Sequence, residues 1–238
     1  MLKIVNLTKK YGENRAVDSL SLSIENGQIC GFIGHNGAGK TTTLKSVAGI
    51  LHFEEGEIFV EGVSVTEDPL TVKKKIAYIP DNPDLYQYMT GRGYLDFVAD
   101  IFGVPLNVRN ERIARLAEKF GIPEKLPQPI SSYSHGQKQK LALIGGFLHE
   151  PKLILLDEPF VGLDPTAAHE LKLLMREHCD RGGAIFFSTH VLEVAEKLCD
   201  RVAIIKNGKL IREGTVAEVK GDSSLESVFL ELEEEEKC

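Results

Sequence analysis

No run in the chain approaches the roughly 18 apolar residues that a membrane-crossing helix needs, so it is not expected to form a path through a bilayer by itself. A basic excess is missing too. Against 28 Lys and Arg stand 35 Asp and Glu, a net charge of −7, which argues against nucleic acid as a partner. Lys73-Lys74-Lys75 reads as the solvated end of a short helix rather than a binding patch. The four cysteines (Cys30, Cys179, Cys199 and Cys238) form no C-x-x-C pair and show no metal-ligand spacing. That suits a reducing compartment, with the first three acting as small core hydrophobes. Lys3 and Asn6 interrupt the N-terminus at once, so no signal peptide is expected and a cytosolic location is. Internal repeats and low-complexity linkers are also absent.

What is present is an ordinary globular composition, 42% hydrophobic and 26% charged, long enough for one large α/β domain or two small ones. Residues 2–33 read as strands, with Leu20, Leu22 and Ile24 alternating with Ser21 and Ser23 in the period of a half-buried antiparallel strand. Gly56–Val60 suggests another strand, entering a turn at Glu61-Gly62. From Thr90 to about Leu148 the period becomes helical: Leu95, Val98, Ala99 and Phe102, then Ile113, Leu116, Ala117 and Phe120. After Pro151, strands at Leu153–Leu156, Ala184–Phe187 and Val202–Ile205 alternate with helices near Ala167–Cys179 and Leu192–Leu198, which predicts βαβ units and a parallel sheet. Asn207-Gly208 predicts a two-residue hairpin. Residues 231–238, with Glu231 and Glu233 to Glu236, read as a solvated acidic tail.

The most informative stretch is Gly34-His35-Asn36-Gly37-Ala38-Gly39-Lys40-Thr41, a full match to G-x-x-x-x-G-K-[ST]. Such a loop wraps phosphate oxygens in backbone N–H groups, brings Lys40 to the β/γ-phosphates and sets the Thr41 hydroxyl on Mg²⁺. Gly34, Gly37 and Gly39 are expected where the backbone curls tightly and approaches a ligand. The strand Gln28–Ile33 precedes the loop, and a helix containing Thr42–Ala48 follows with its positive N-terminus toward the anion. Leu153–Leu156 then runs into Asp157-Glu158, a buried strand delivering two acids to a crevice. Asp157 suits Mg²⁺, and Glu158 is placed to polarise an attacking water. Ser188-Thr189-His190 ends the next apolar strand, where the imidazole can sense the γ-phosphate.

With Tyr133-Ser134-His135-Gly136-Gln137 about twenty residues before Asp157, the chain resembles the ATP-binding subunits of bacterial ABC transporters over nearly all of its first 215 residues. In that resemblance Gly34–Thr41 is the Walker A loop, Leu153–Asp157 the Walker B strand and Tyr133–Gln137 the signature. Val161–Pro165, with Asp164, is the D-loop, His190 the switch histidine, and Tyr11 the aromatic that stacks on adenine. It implies an α/β fold: a P-loop NTPase (RecA-like) core, an N-terminal antiparallel β subdomain and an inserted α-helical subdomain. The ATP-binding domain would span 1–220, with the helical insertion at about 83–150 and an acidic tail over 221–238.

The resemblance also implies ATP and Mg²⁺ as cofactors and a separate integral membrane permease as partner, docked around Asp81–Phe102 and the helical insertion. It implies a second ATP-binding subunit whose Ser134, Gly136 and Gln137 close over the nucleotide held by Lys40 and Thr42. The location implied is the inner face of the cell membrane. Two departures stand out. Tyr133 and His135 replace the Leu and first Gly of L-S-G-G-Q, and Asp81, followed by Asn82, stands where the family has its Q-loop glutamine. Both look similar to the drug- and peptide-export branch. A soluble ATPase uncoupled from transport and a non-hydrolysing ATP-binding regulator remain as alternatives.

Overall fold

The computed structural model describes residues 1–234. Two sheets organise it. In the first, β1 (Leu2–Tyr11), β2 (Asn14–Ile24), β4 (Glu55–Val60) and β5 (Val63–Ser64) run antiparallel in the order β2-β1-β4-β5. The second has the order β10-β9-β3-β8-β7-β6, built from β3 (Ile29–Ile33), β6 (Ile76–Ile79), β7 (Leu153–Asp157), β8 (Ala184–Thr189), β9 (Arg201–Lys206) and β10 (Lys209–Thr215). It is parallel from β9 to β6, and only the edge strand β10 runs antiparallel. Both expected sheet types are present.

The parallel sheet is buried on both faces, as such sheets must be. Cys30, Phe32, Leu153, Leu155 and Phe186 face the antiparallel sheet and α1 (Lys40–Val47), packing in one cluster with Ile4 of β1, Leu22 of β2, and Leu44 and Val47 of α1. Their neighbours Ile29, Ile154, Leu156, Ile185 and Phe187 face the other way, onto α5 (His135–Leu148) and α6 (Pro165–Asp180). Phe32 and Phe186 pack ring against ring at 5.1 Å, and burial pushes the Cys30 thiol up to about 12, consistent with a core role.

The helical insertion comprises α3 (Gly91–Ile101), α4 (Leu106–Lys119) and α5, reached through α2 (Pro69–Lys75) and β6. Leu95 and Ala99 of α3, and Ile113, Leu116 and Ala117 of α4, are buried together with Phe120. Lys73–Lys75 form the last turn of α2, as the charge run suggested. Asn207 and Gly208 both have positive φ (49° and 81°) between β9 and β10, the requirement of a tight hairpin turn.

One boundary differs from expectation. After α7 (Leu192–Leu198) and α8 (Val216–Lys220), residues 225–234 form a further helix, α9 (Leu225–Glu234), where an acidic tail from 221 was expected. Leu225, Val228 and Phe229 are buried against Ile33, Ala195, Val202 and Ile204. Their helical spacing had been outweighed by the neighbouring glutamates. Residues 235–238 of the expected tail, and Cys238, lie outside the described residues.

Candidate functional site

Strands β3, β7 and β8 end side by side, with Ile33 beside Thr189 and Asp157 beside Ser188. This register gathers the three motif regions at the carboxyl edge of one sheet. There a cavity of about 290 Å³ is lined by Ala16, His35, Asn36, Gly37, Gly39, Lys40, Thr41, Thr42, Asp81, Asp157 and Glu158.

The loop after β3 enters α1 with Gly39 as its N-cap, at φ 109°. No side chain caps this helix, whereas α3, α5 and α6 are capped by Thr90, Ser134 and Asp164. The first-turn N–H groups of α1 therefore lack an intrahelical or capping partner, and Lys40, Thr41 and Thr42 line the cavity, the arrangement of an anion site. The tight curl expected of the glycines is present at Gly37 and Gly39, which have positive φ, and two glycines have a further reason. A Cβ on Gly34 would stand 2.4 Å from the Ile205 carbonyl oxygen, and one on Gly39 2.3 Å from that of Ala16. Close approach to the protein's own backbone dictates these two. Gly37 has open space around it but a φ of 85°.

Lys40 is 6% exposed. Its ammonium donates to the carbonyl oxygens of Gly34 (2.6 Å) and His35 (3.2 Å), and lies 3.5 Å from Glu158 Oε1. The buried Asp157 accepts a hydrogen bond from Ser188 Oγ on Oδ1 at 2.5 Å, while its Oδ2 is buried with no hydrogen-bond partner. The same Ser188 oxygen accepts from the Glu158 N–H at 3.0 Å. One hydroxyl thus fixes both acids, a role for Ser188 that the sequence reading missed; the signal was its register opposite Asp157. Glu158 adopts a positive φ of 46°, uncommon for a non-glycine residue. That turn sends its carboxylate back across the cavity, where Oε2 meets His190 Nδ1 at 3.0 Å.

Tyr78 of β6 was also missed. Burial first, then the charges of Asp157 and Asp81, hold its phenol well above the ordinary range, and its hydroxyl is buried with no hydrogen-bond partner. Asp81, rather than Asn82, lines the cavity, and its Oδ1 accepts from the Asn82 N–H at 2.8 Å.

Other expected site residues lie apart. Tyr11, 51% exposed at the end of β1, does not line this cavity; Lys9 Nζ stands 5.3 Å from its ring centre. Ser134 and Gln137 form a reciprocal cap on α5: Ser134 Oγ accepts from the Gln137 N–H at 3.3 Å, and Gln137 Oε1 from the Ser134 N–H at 3.0 Å. Gly136 packs so closely on the loop before α6 that a Cβ there would come within 2.6 Å of Gly162 O. Asp164 pairs with Lys140 at 2.5 Å and caps α6 through the Ala167 N–H at 2.9 Å, contacts that in that order hold its carboxyl below the usual range. Tyr133 is buried and donates its phenolic hydrogen to the Lys125 carbonyl at 2.6 Å. His135 lies against Gly162. Among the described residues, no group of three or more His, Cys, Asp or Glu could hold a metal by itself.

An open parallel sheet with an uncapped helix start, a buried lysine and an acid pair at its carboxyl edge defines a P-loop nucleotide-binding protein. The ABC transporter family pattern matches residues 17–161. Across 241 aligned residues the chain is 34% identical to the ABC-type transporter ATP-binding protein EcsA of Bacillus subtilis, covering 99% of this chain and 98% of that one. It is 32% identical over 240 residues to the "Probable multidrug ABC transporter ATP-binding protein YbhF" of Escherichia coli, covering 98% of this chain but 41% of YbhF. A solved structure of an ATP-binding subunit of an ABC transporter superposes with a TM-score of 0.94 at 32% identity, covering 98% of this chain and 99% of that one. The chain belongs to the ABC transporter family, as one of its ATP-binding proteins.

Proposed function

We propose that the protein hydrolyses ATP to energise transport through a separate membrane permease, working in the export direction. The observation that carries the hydrolytic reading is the Glu158 carboxylate, suspended between Lys40 and His190 beside the unpartnered Oδ2 of Asp157. An orphaned buried carboxylate oxygen fits a cation. Thr41 and Asp157 would hold Mg²⁺, with Asp81 reaching it through water, and the bound ion would neutralise phosphate charge. Lys40, Thr42 and the N–H groups of the loop grip the phosphates, and Tyr11 stacks on the adenine. Glu158 orients water and accepts its proton, with His190 holding the carboxylate in place.

Ser134, Gly136 and Gln137 serve the nucleotide of a second subunit. Because Ser134 Oγ accepts within its own cap, its O–H proton is available to donate to a phosphate oxygen. Gln137 uses its Oε1 in the same cap, leaving its amide N–H groups for the ligand. A homodimer or a pairing with a paralogue satisfies this arrangement.

Among the described residues no helix is long and apolar enough to cross a membrane. Membership of the ABC transporter family supports assigning the pathway to a permease and this subunit to its cytoplasmic face. The docking surface we assign is a cleft of about 270 Å³ lined by Pro80, Pro83, Leu85, Tyr94, Phe102 and other residues of β6, α3 and α5. Exposed Tyr86, Tyr88 and Ile101 lie in the same part of the chain. The resemblance to YbhF, called multidrug, supports export.

Association tests the shared-nucleotide part. Glu158→Gln, incubated with ATP and Mg²⁺, is expected to shift from monomer to dimer on size exclusion, and adding Ser134→Arg is expected to abolish the shift. A single variant that stays monomeric with ATP bound refutes self-dimerisation of the isolated chain. Ser188→Ala is expected to slow steady-state hydrolysis roughly tenfold or more, the scale of one hydrogen bond to a charged group. An unchanged rate would remove Ser188 from the account of the acid pair.

A further inference from the structure

The helix that was expected to be tail meets the phosphate loop directly. Phe229 of α9, 8% exposed, sets its ring 4.9 Å from that of His35, centre to centre, at 63°. His35 is the first residue after Gly34, and its carbonyl accepts from both Lys40 Nζ (3.2 Å) and the Ala38 N–H (3.1 Å). A second tie comes from the other end of α9. Lys206 Nζ donates to the Leu232 carbonyl at 2.9 Å, and Lys206 opens the hairpin whose Gly208 N–H donates to the Ala38 carbonyl at 3.0 Å. Both ties converge on residues 35–38 of the loop, of which His35, Asn36 and Gly37 are exposed and Ala38 is buried.

The start of α9 is anchored elsewhere. Glu196 of α7 accepts from the Leu225 N–H (3.1 Å) and pairs with Lys220 (2.9 Å), while Leu225 and Val228 bury themselves beside Ala195 and Val219. The helix is therefore held on α7 and α8 independently of the loop. A rigid element fixed at one end and touching a ligand loop at the other can set that loop's conformation.

We infer that Phe229 is a positioning residue for nucleotide binding: through His35 it holds the phosphate loop in its binding conformation, so that α9 sets how tightly nucleotide is retained. The inference rests on the nucleotide reading of the cavity. With Phe229 truncated, residues 35–38 have more conformations to lose when phosphate binds, and that ordering cost falls on affinity. Both ATP and ADP should be affected, since the loop grips phosphates common to both. Turnover of the bound state depends on Glu158, whose described partners, Lys40, Ser188 and His190, lie outside α9.

The test compares the full chain with Phe229→Ala, Phe229→Tyr and Val219→Ala. The last trims the same apolar cluster on α8 without reaching His35. Equilibrium binding of ATP and ADP, KM and kcat for hydrolysis, thermal midpoint and the NMR signals of the His35 ring are read for each. Phe229→Ala is expected to raise the Kd for both nucleotides and KM by about three- to tenfold, the reach of one aromatic pair. Its kcat should stay within about twofold, and the His35 ring signals should shift. Phe229→Tyr should restore affinity, and Val219→Ala should lower the thermal midpoint with Kd unchanged. A Phe229→Ala protein with wild-type Kd and KM overturns the inference, as does an equal loss of affinity in Val219→Ala. Failure of the unmodified chain to bind nucleotide would instead refute the cavity assignment.

Discussion

Glu158→Gln is expected to lower steady-state ATP hydrolysis by about a hundredfold or more, with ATP binding within about twofold of the unmodified chain. The amide matches the carboxylate in size, so the buried site and the positive φ at this position need not change. Its oxygen can still face Lys40 and its N–H₂ can still donate to His190, preserving both neighbours now at 3.5 and 3.0 Å. What disappears is the negative charge and the capacity to accept a proton from water. Because these act on the reacting water rather than on the bound nucleotide, the loss should fall on kcat. Single-turnover hydrolysis alongside equilibrium binding separates the two quantities. A variant that keeps most of its turnover would move the base elsewhere, and His190 is the next group in line.

Much of this site is legible in the sequence. Gly34–Thr41, Asp157-Glu158 and His190 each follow a short apolar run, and parallel strands deliver their C-terminal residues to a common edge. The structure brings these residues to one cavity edge, with Lys40, Asp157 and Glu158 lining it and His190 joined through Glu158. Period-2 and period-3.6 patterns likewise gave the antiparallel strands and the helical insertion, because one-sided burial writes itself into spacing.

What stayed hidden depends on pairing rather than on local pattern. Ser188 acquires its role only because β7 and β8 lie in a register that sets it beside Asp157. Tyr78 comes within the influence of Asp157 and Asp81 because β6 adds to the sheet next to β7. The reasons for Gly34 and Gly39 lie in the Ile205 and Ala16 carbonyls, both far along the chain or on the other sheet. The C-terminal helix was lost for a different reason. Its glutamates dominate the composition, while Leu225, Val228 and Phe229 carry a helical stripe too short to stand out. Tyr133 and His135, which looked like losses from the signature, are engaged with Lys125 and Gly162.

Lys40→Ala is expected to weaken ATP binding by roughly tenfold to a hundredfold, the range for losing a hydrogen-bonded charge partner. Two effects combine. The β/γ-phosphates lose the ammonium, and the Gly34 and His35 carbonyls lose the donor that ties the loop together. A third consequence works inside the site: the largely buried Glu158 is left without its cationic neighbour, so phosphate would approach an uncompensated carboxylate. The double variant Lys40→Ala/Glu158→Gln separates these contributions. If repulsion from Glu158 matters, the double variant should recover part of the affinity lost by Lys40→Ala alone, a coupling that a double-mutant cycle measures directly. If the ammonium acts only on phosphate and loop, the two substitutions should add. Isothermal titration with ATP and with ADP would read both, with a smaller loss for ADP, which lacks the γ-phosphate. Unchanged ATP affinity in Lys40→Ala would contradict the role given to the loop and to the cavity it lines.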